Sequence, residues 1–266
     1  IITSYYFEED ALVTNHNYFK NENATEGFIN MNFSNDDAVI REFLGLKKPE
    51  NKLSFAVQVA LKSSRLKERD VEKLDENIPI DYFGGLDSFL TFDIEELLEL
   101  ESIPSVRNAI VLFGYLGTPT GNPFDIEDKH FTPLNKTFVG RTSPDMFGVL
   151  LHDNIVKMLT TNNFISKVPK WLVYLIALIC SFFTIMLGMK LYKRSELIYD
   201  ILIKIIQLVI SVVLLYLALL LLKLNIYIFI TPVLVLTVFG LEMIDFYVYL
   251  LDYLKKRFKW QSYLLN

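Results

Sequence analysis

The chain has 266 residues, of which 52% are apolar, with a single cysteine and a formal net charge of −5. That size and apolar content suit one soluble domain plus a membrane bundle. Residues 1–170 carry 17 basic against 26 acidic side chains, and an acidic soluble part argues against nucleic acid as a partner, because phosphate binding needs a basic surface.

Ile1-Ile2 already reads as strand, so an upstream segment is expected before the first residue. Ile29, Met31 and Phe33 alternate with Asn30 and Asn32, the period of a strand with one buried face. Asn35-Asp36-Asp37 supplies a turn, since short polar side chains bond their own backbone there. Val39, Arg41 and Phe43 then alternate with Ile40, Glu42 and Leu44, a second strand that would close a hairpin. The spacing of Phe55, Ala56, Val59 and Ala60 predicts a helix over 53–66, and the charged stretch 67–77 reads as a solvated helix end and loop.

A short strand is expected over 78–83, closed by Gly84-Gly85, a pair suited to positive φ. Asp93 and Glu96 have the spacing of a capping box opening a helix over 94–101, with Leu97 and Leu98 inward. The apolar run 109–113 before Gly114 reads as a strand buried on both faces. A loop over 116–146 follows, carrying Pro119, Pro123, Pro133 and Pro144, and loops this long are usually functional. Residues 148–160 then read as a helix with Leu151, Ile155, Met158 and Leu159 on one face. Alternating strands and helices imply an α/β sandwich.

Three long apolar runs occupy 171–189, 205–222 and 226–250, the last less cleanly beyond Leu241. About 18 apolar residues in a helix span a bilayer core of roughly 30 Å, and only a helix satisfies its own backbone there. The fold class is therefore an α/β extracytoplasmic domain (1–167), a three-helix transmembrane bundle (168–254) and a short basic tail (255–266). Lys190, Lys193, Arg194 and Lys204 crowd the first connection, and Lys255, Lys256, Arg257 and Lys259 follow the third helix. The second connection offers only Lys223, so the positive-inside rule places the first connection and the tail in the cytoplasm. Cys180 lies within the first apolar run, so the soluble part has no disulfide, which permits a bacterial periplasm.

The run Arg107-Asn108-Ala109-Ile110-Val111-Leu112-Phe113-Gly114 resembles the strand-and-glycine element of CHASE2 sensory domains. Thr132-Pro133, Gly148-Val149, and His152 with Asn154 are similar to that family's closing motifs, in order. Asp36-Asp37-Ala38-Val39-Ile40-Arg41 resembles its Asp-rich turn and Arg-bearing strand, and Tyr82 with Gly84 and Ser88-Phe89 fit as well. Three membrane helices directly after the domain are the family's usual arrangement. The resemblance implies an extracytoplasmic sensing domain in the bacterial inner membrane, preceded by a further N-terminal part and coupled to a cyclase, kinase or diguanylate-cyclase output. The tail leaves no room for such a module, so the output is expected from a partner protein. The competing expectation is a structural or assembly subunit of a larger envelope complex, with the outer domain as docking platform. Both place the chain against the lipid bilayer and other membrane or envelope proteins.

Candidate sites divide in two. Asp125, Glu127, Asp128 and His130 make an oxygen-rich loop with an imidazole, suited to calcium or a transition metal but lacking EF-hand spacing. A structural, solvated loop is the competing reading. His152 begins a helix and is read first as a residue bonding backbone, then as a ligand-binding group. Glu242 and Asp245 share a face of the third helix, where an acid is costly unless paired or wetted. Counted from Ile226, Glu242 would sit about 24 Å along the helix, near the cytoplasmic interface and within reach of Lys204. No catalytic constellation and no cofactor motif is present: the histidines lack a serine partner and there is no glycine-rich phosphate loop.

Overall fold

A computed structural model describes residues 1–8, 11–15, 24–33, 37–100, 102–136, 143–192 and 196–258. Asn35, Asp36, Glu101, Lys193, Arg194, Lys259 and the rest of the tail, all invoked above, lie outside them. Two compact units result, residues 1–165 and 166–266.

The first unit is mixed α/β. β1 (Ile2–Glu8) pairs antiparallel with β2 (Ala11–Val13) and parallel with β3 (Thr25–Phe28). β4 (Asn32–Phe33) begins a second ladder on β5 (Ile40–Leu44). β6 (Leu46–Lys47) and β7 (Lys52–Leu53) form a small hairpin before α1 (Phe55–Lys62). Ser54 starts α1, its hydroxyl accepting from Val57 N at 3.4 Å. Gly27 of β3 lies against this helix start so closely that a Cβ there would sit 2.5 Å from Phe55 Cα, so only glycine allows the approach.

The charged stretch 67–77, expected as a solvated helix end and loop, holds a short helix, α2 (Glu68–Val71), that runs into a 3-10 turn (Glu72–Leu74) with Leu74 buried in the core. β8 (Asn77–Pro79) completes the second ladder as its outer strand beside β5, shorter than the 78–83 expected. Neither Gly84 nor Gly85 has positive φ. Gly84 is needed instead because a side chain there would collide with Ser88.

α3 (Ile94–Glu99) opens on the expected capping box of Asp93 and Glu96. Leu98 does not point inward: it is 82% exposed, beside exposed Leu90, Ile94 and Leu100. The run 109–113 is the largest correction, because no strand forms there. Ile110 and Leu112 pack on the core while Val111 and Phe113 stay exposed. Apolar composition suggested two buried faces; the residues bury one and find no ladder partner.

Within the long loop, β9 (Lys129–His130) pairs with β10 (Met146–Phe147), directly before α4 (Gly148–Thr161). Buried Thr132 braces the loop, its N–H and hydroxyl donating to the Asp145 carboxylate at 2.8 and 2.6 Å. α4 and α1 enclose the core with Ile40 and Phe43 of β5, through Val57, Ala60, Leu151, Ile155 and Leu159. Asn162 ends α4 in the left-handed conformation that asparagine tolerates. The described strands of this unit thus form four small sheets instead of one α/β sandwich.

The second unit holds three helices long and apolar enough to cross a membrane. β11 (Ser166–Lys167) leads into α5 (Lys170–Tyr192) and then α6 (Glu196–Lys223). β12 (Ile226–Tyr227) precedes α7 (Thr231–Phe258) and pairs parallel with β11. The third helix therefore starts at Thr231, not Ile226, because the backbone of 226–227 is spent on this ladder. Pro232, which lacks an N–H, suits the first helical turn.

α5 packs most closely on α7 through small residues. A Cβ on Gly240 would sit 2.8 Å from Ser181 Oγ, and one on Gly188 would sit 2.5 Å from Ile244 Cδ1. Ser181 donates to the Leu236 carbonyl at 3.1 Å. Close backbone approach and interhelical hydrogen bonds are what hold helices together in lipid, where burial of apolar surface gives little. The chain is thus a membrane-embedded protein with a mixed α/β unit ahead of its spans.

Candidate functional site

The acidic loop splits into two roles. The Asp125 carboxylate is used up inside the loop: it accepts from Tyr115 OH at 2.5 Å, Thr118 N at 3.0 Å and Glu127 N at 3.0 Å. The tyrosine hydrogen bond, then the two amides, hold its carboxyl below the usual range. Glu127 faces solvent. Neither residue joins a site.

Asp128 and His130 behave differently. Asp128 takes a left-handed φ of 53°, and its carboxylate packs where a Cβ on Gly148 would be, 2.9 Å from that position. The Gly148 N–H donates to the Asp128 carbonyl at 2.9 Å, fixing the loop to the start of α4. Asp128 Oδ1 lies 3.7 Å from His130 Nε2. One turn along α4, the His152 ring meets Phe55 edge-on at 5.6 Å.

Asp128, His130 and His152 together line a cavity of about 460 Å³. Its remaining wall brings in Ser4 and Tyr6 of β1, Asn30, and Phe113 and Tyr115 of the run after β8. Three of the five outer candidates thus converge. Among the described residues no three His, Cys, Asp or Glu side chains are placed to hold a metal ion.

The electrostatics of the wall follow from burial. His152 Nδ1 is sealed from solvent and has no hydrogen-bond partner among the described residues, which corrects the expectation that this histidine bonds backbone. Burial lowers its imidazole to about 4, with Asp128 partly opposing. Next to it, burial pushes Asp153 up to about 6. The two act in opposite senses. The fold favours neutral His152, so stability from this residue is lost as pH falls from 6.5 toward about 4. The fold also favours protonated Asp153, so its penalty is relieved as pH falls from about 6 toward 3.8.

Asp153→Asn is therefore expected to raise the melting temperature relative to wild type above pH 6, an advantage that disappears near the ordinary carboxylate value of 3.8. His152→Gln should gain on wild type as pH drops through the window from 6.5 to about 4. Thermal melts of the purified full chain across that range check both. Parallel profiles for all three proteins would contradict the assignment.

The most informative buried group is Asn154, which was singled out only as part of a motif. It is fully buried. Its Oδ1 accepts from Phe83 N at 2.7 Å and Gly84 N at 3.1 Å, while Nδ2 donates to Gly84 O at 3.0 Å and Leu150 O at 2.8 Å. Tyr82 OH donates to Ile40 O at 2.8 Å. These clamps hold the turn after β8 against α4 and β5.

In the second unit, Glu242 pairs with Lys204 of α6. Gln207, buried between the helices, donates to Glu242 Oε1 at 2.9 Å and to the Val238 carbonyl at 3.3 Å. With α7 starting at Thr231, Glu242 lies about 16 Å along it, closer to the middle of a span than the 24 Å expected. Asp245, one turn on, is exposed.

Comparison of the chain with protein-family models, curated proteins and solved structures finds no match. The cavity-lining residues missed in the sequence, Ser4, Tyr6 and Asn30, lie more than a hundred positions from His152. The usable signal was local: Asp128 and His130 are two apart beside a strand, and Gly148 opens the helix that carries His152.

Proposed function

We propose that the chain is a membrane-anchored sensory subunit whose first unit lies outside the cytoplasmic membrane and binds a small ligand. The signal passes through the three helices to a partner protein carrying the output. The observation that carries this reading is the cavity walled by Asp128, His130 and His152 in a chain that also has three membrane-crossing helices. The resemblance to CHASE2 domains supports it, because Tyr82, Thr132, Gly148 and Asn154, which bear that resemblance, each make a defined buried contact or close approach. The distribution of lysine and arginine supports the orientation.

Purification from native membranes tests the reading. Recovery with a cyclase or kinase is the expected result, and modification of cysteines introduced at 190–192 only from the cytoplasmic side is the expected topology. Labelling of those positions from outside would sink the orientation. A second reading, an assembly subunit, is favoured by the exposed apolar side chains Leu90, Ile94, Leu98 and Leu100 around α3, which would dock an envelope partner. Stable recovery in a large envelope complex, with no kinase or cyclase, would select it.

A further inference from the structure

We propose that the cavity beside the start of α4 takes a small organic cation, an ammonium group on an apolar body, with Asp128 as its counter-ion. The cavity volume of about 460 Å³ lies in the usual range for small-molecule sites. Its chemistry is one-sided. Asn30 spends its oxygen on Phe7 N at 2.7 Å and its amide on Phe7 O at 2.8 Å. Tyr115 gives its proton to Asp125.

Asp128 supplies the one carboxylate among the described lining residues, beside the His152 imidazole, which stays neutral because burial holds it near 4, while Ser4, Tyr6 and His130 add groups that accept as well as donate. A carboxylate accepts only, and a neutral imidazole has one acceptor nitrogen. The site therefore calls for a donor-rich head group. Tyr6, Phe113, Tyr115 and Phe55 contribute aromatic rings to the same wall, and ring faces attract ammonium ions. Ile29, Met31, Leu112 and Val149 supply an apolar surface for the body of the ligand.

Other classes fit less well. An anion would meet the Asp128 carboxylate at the helix start, where an anion would otherwise bind. A sugar would use the Ser4 and Tyr6 hydroxyls but would leave the Asp128 carboxylate without a counter-charge, and the polar groups of Asn30 and Tyr115 are already engaged. This inference names the ligand class for the cavity of the sensory reading and rests on that reading for its biological meaning. Its binding test stands apart, since co-purification and cysteine labelling report the sensory reading by themselves.

The test compares three probes of one shape: 2-phenylethylamine, 2-phenylethanol and phenylacetate. Calorimetry uses the full chain in nanodiscs of zwitterionic lipid, with empty discs subtracted. The amine is expected to bind with a Kd on the order of 1 mM, at least about tenfold tighter than the alcohol, and the carboxylate not at all. Asp128→Asn keeps shape and tolerates the left-handed φ, and should weaken the amine by about tenfold while leaving the alcohol unchanged. Tyr6→Ala, on an exposed strand position, should weaken the amine severalfold by a route independent of the carboxylate. Equal binding of all three probes, tighter binding of phenylacetate, absence of any heat from the amine, or indifference of the amine to Asp128→Asn would each overturn the proposal.

Discussion

Asn154→Leu is expected to cost the first unit about 3–5 kcal/mol, the largest effect of any single change considered for it. Leucine fits the volume and suits a helix, so neither packing nor propensity predicts damage. The damage comes from what the amide serves. Two backbone donors, Phe83 N and Gly84 N, lose their acceptor, and Gly84 O and Leu150 O lose a donor. Each buried donor left unpaired costs about 1–3 kcal/mol. Since folded domains hold only about 5–15 kcal/mol in total, the variant should melt roughly 10 °C or more below wild type. Asn163→Ala is the control: its side chain bonds Asp81 on the surface at 2.5 Å, and its loss should cost less than about 1 kcal/mol. Equal melting of the two variants would show that the turn after β8 does not depend on α4.

Glu242→Leu should lower the thermal stability of the chain in nanodiscs by about 2–3 kcal/mol, the scale set by a lone charge within a helical span. The variant strips Lys204 of its counter-charge and leaves Gln207 only the Val238 carbonyl. Exchanging the pair, Lys204→Glu with Glu242→Lys, should recover part of the loss, because the charge pair is restored while Gln207 loses the acceptor that Glu242 gave it. A water-exposed ion pair contributes only about 0–1 kcal/mol. A single variant that melts like wild type would therefore place the pair in water instead of hydrocarbon.

The membrane unit was the most legible part of the chain, because a helix that crosses lipid needs a long apolar run and such a run stands out in composition alone. Lys204 was one of two expected partners for Glu242, water being the other, and the pair forms nearer the middle of the helix than the depth counted from Ile226. What could not be read was where such helices start: Ile226 and Tyr227 are as apolar as the helix after them, and only their pairing with Ser166 and Lys167 sets them apart. The same limit produced the error at 109–113. Composition reports that a residue can be buried, while Val111 and Phe113 show that burial needs something to lie against. The capping box at Asp93 was legible since all its parts lie within one turn. The cavity was half legible, its loop and helix groups standing out by type and its β1 wall arriving through tertiary packing alone.

The short parallel ladder between β11 and β12 makes a mechanical yoke. Ser166 N donates to Asn225 O at 2.8 Å and Val168 N to Tyr227 O at 2.9 Å, so the segment entering α5 is tied to the segment entering α7. A tug on the chain at Ser166 loads α5 through the covalent backbone and α7 through the ladder. The same two helices also meet at Ser181, Gly188 and Gly240, so α5 and α7 are joined both at their entries and along their length. α6 is tied to that joined pair by the contact between its Lys204 and Glu242 of α7.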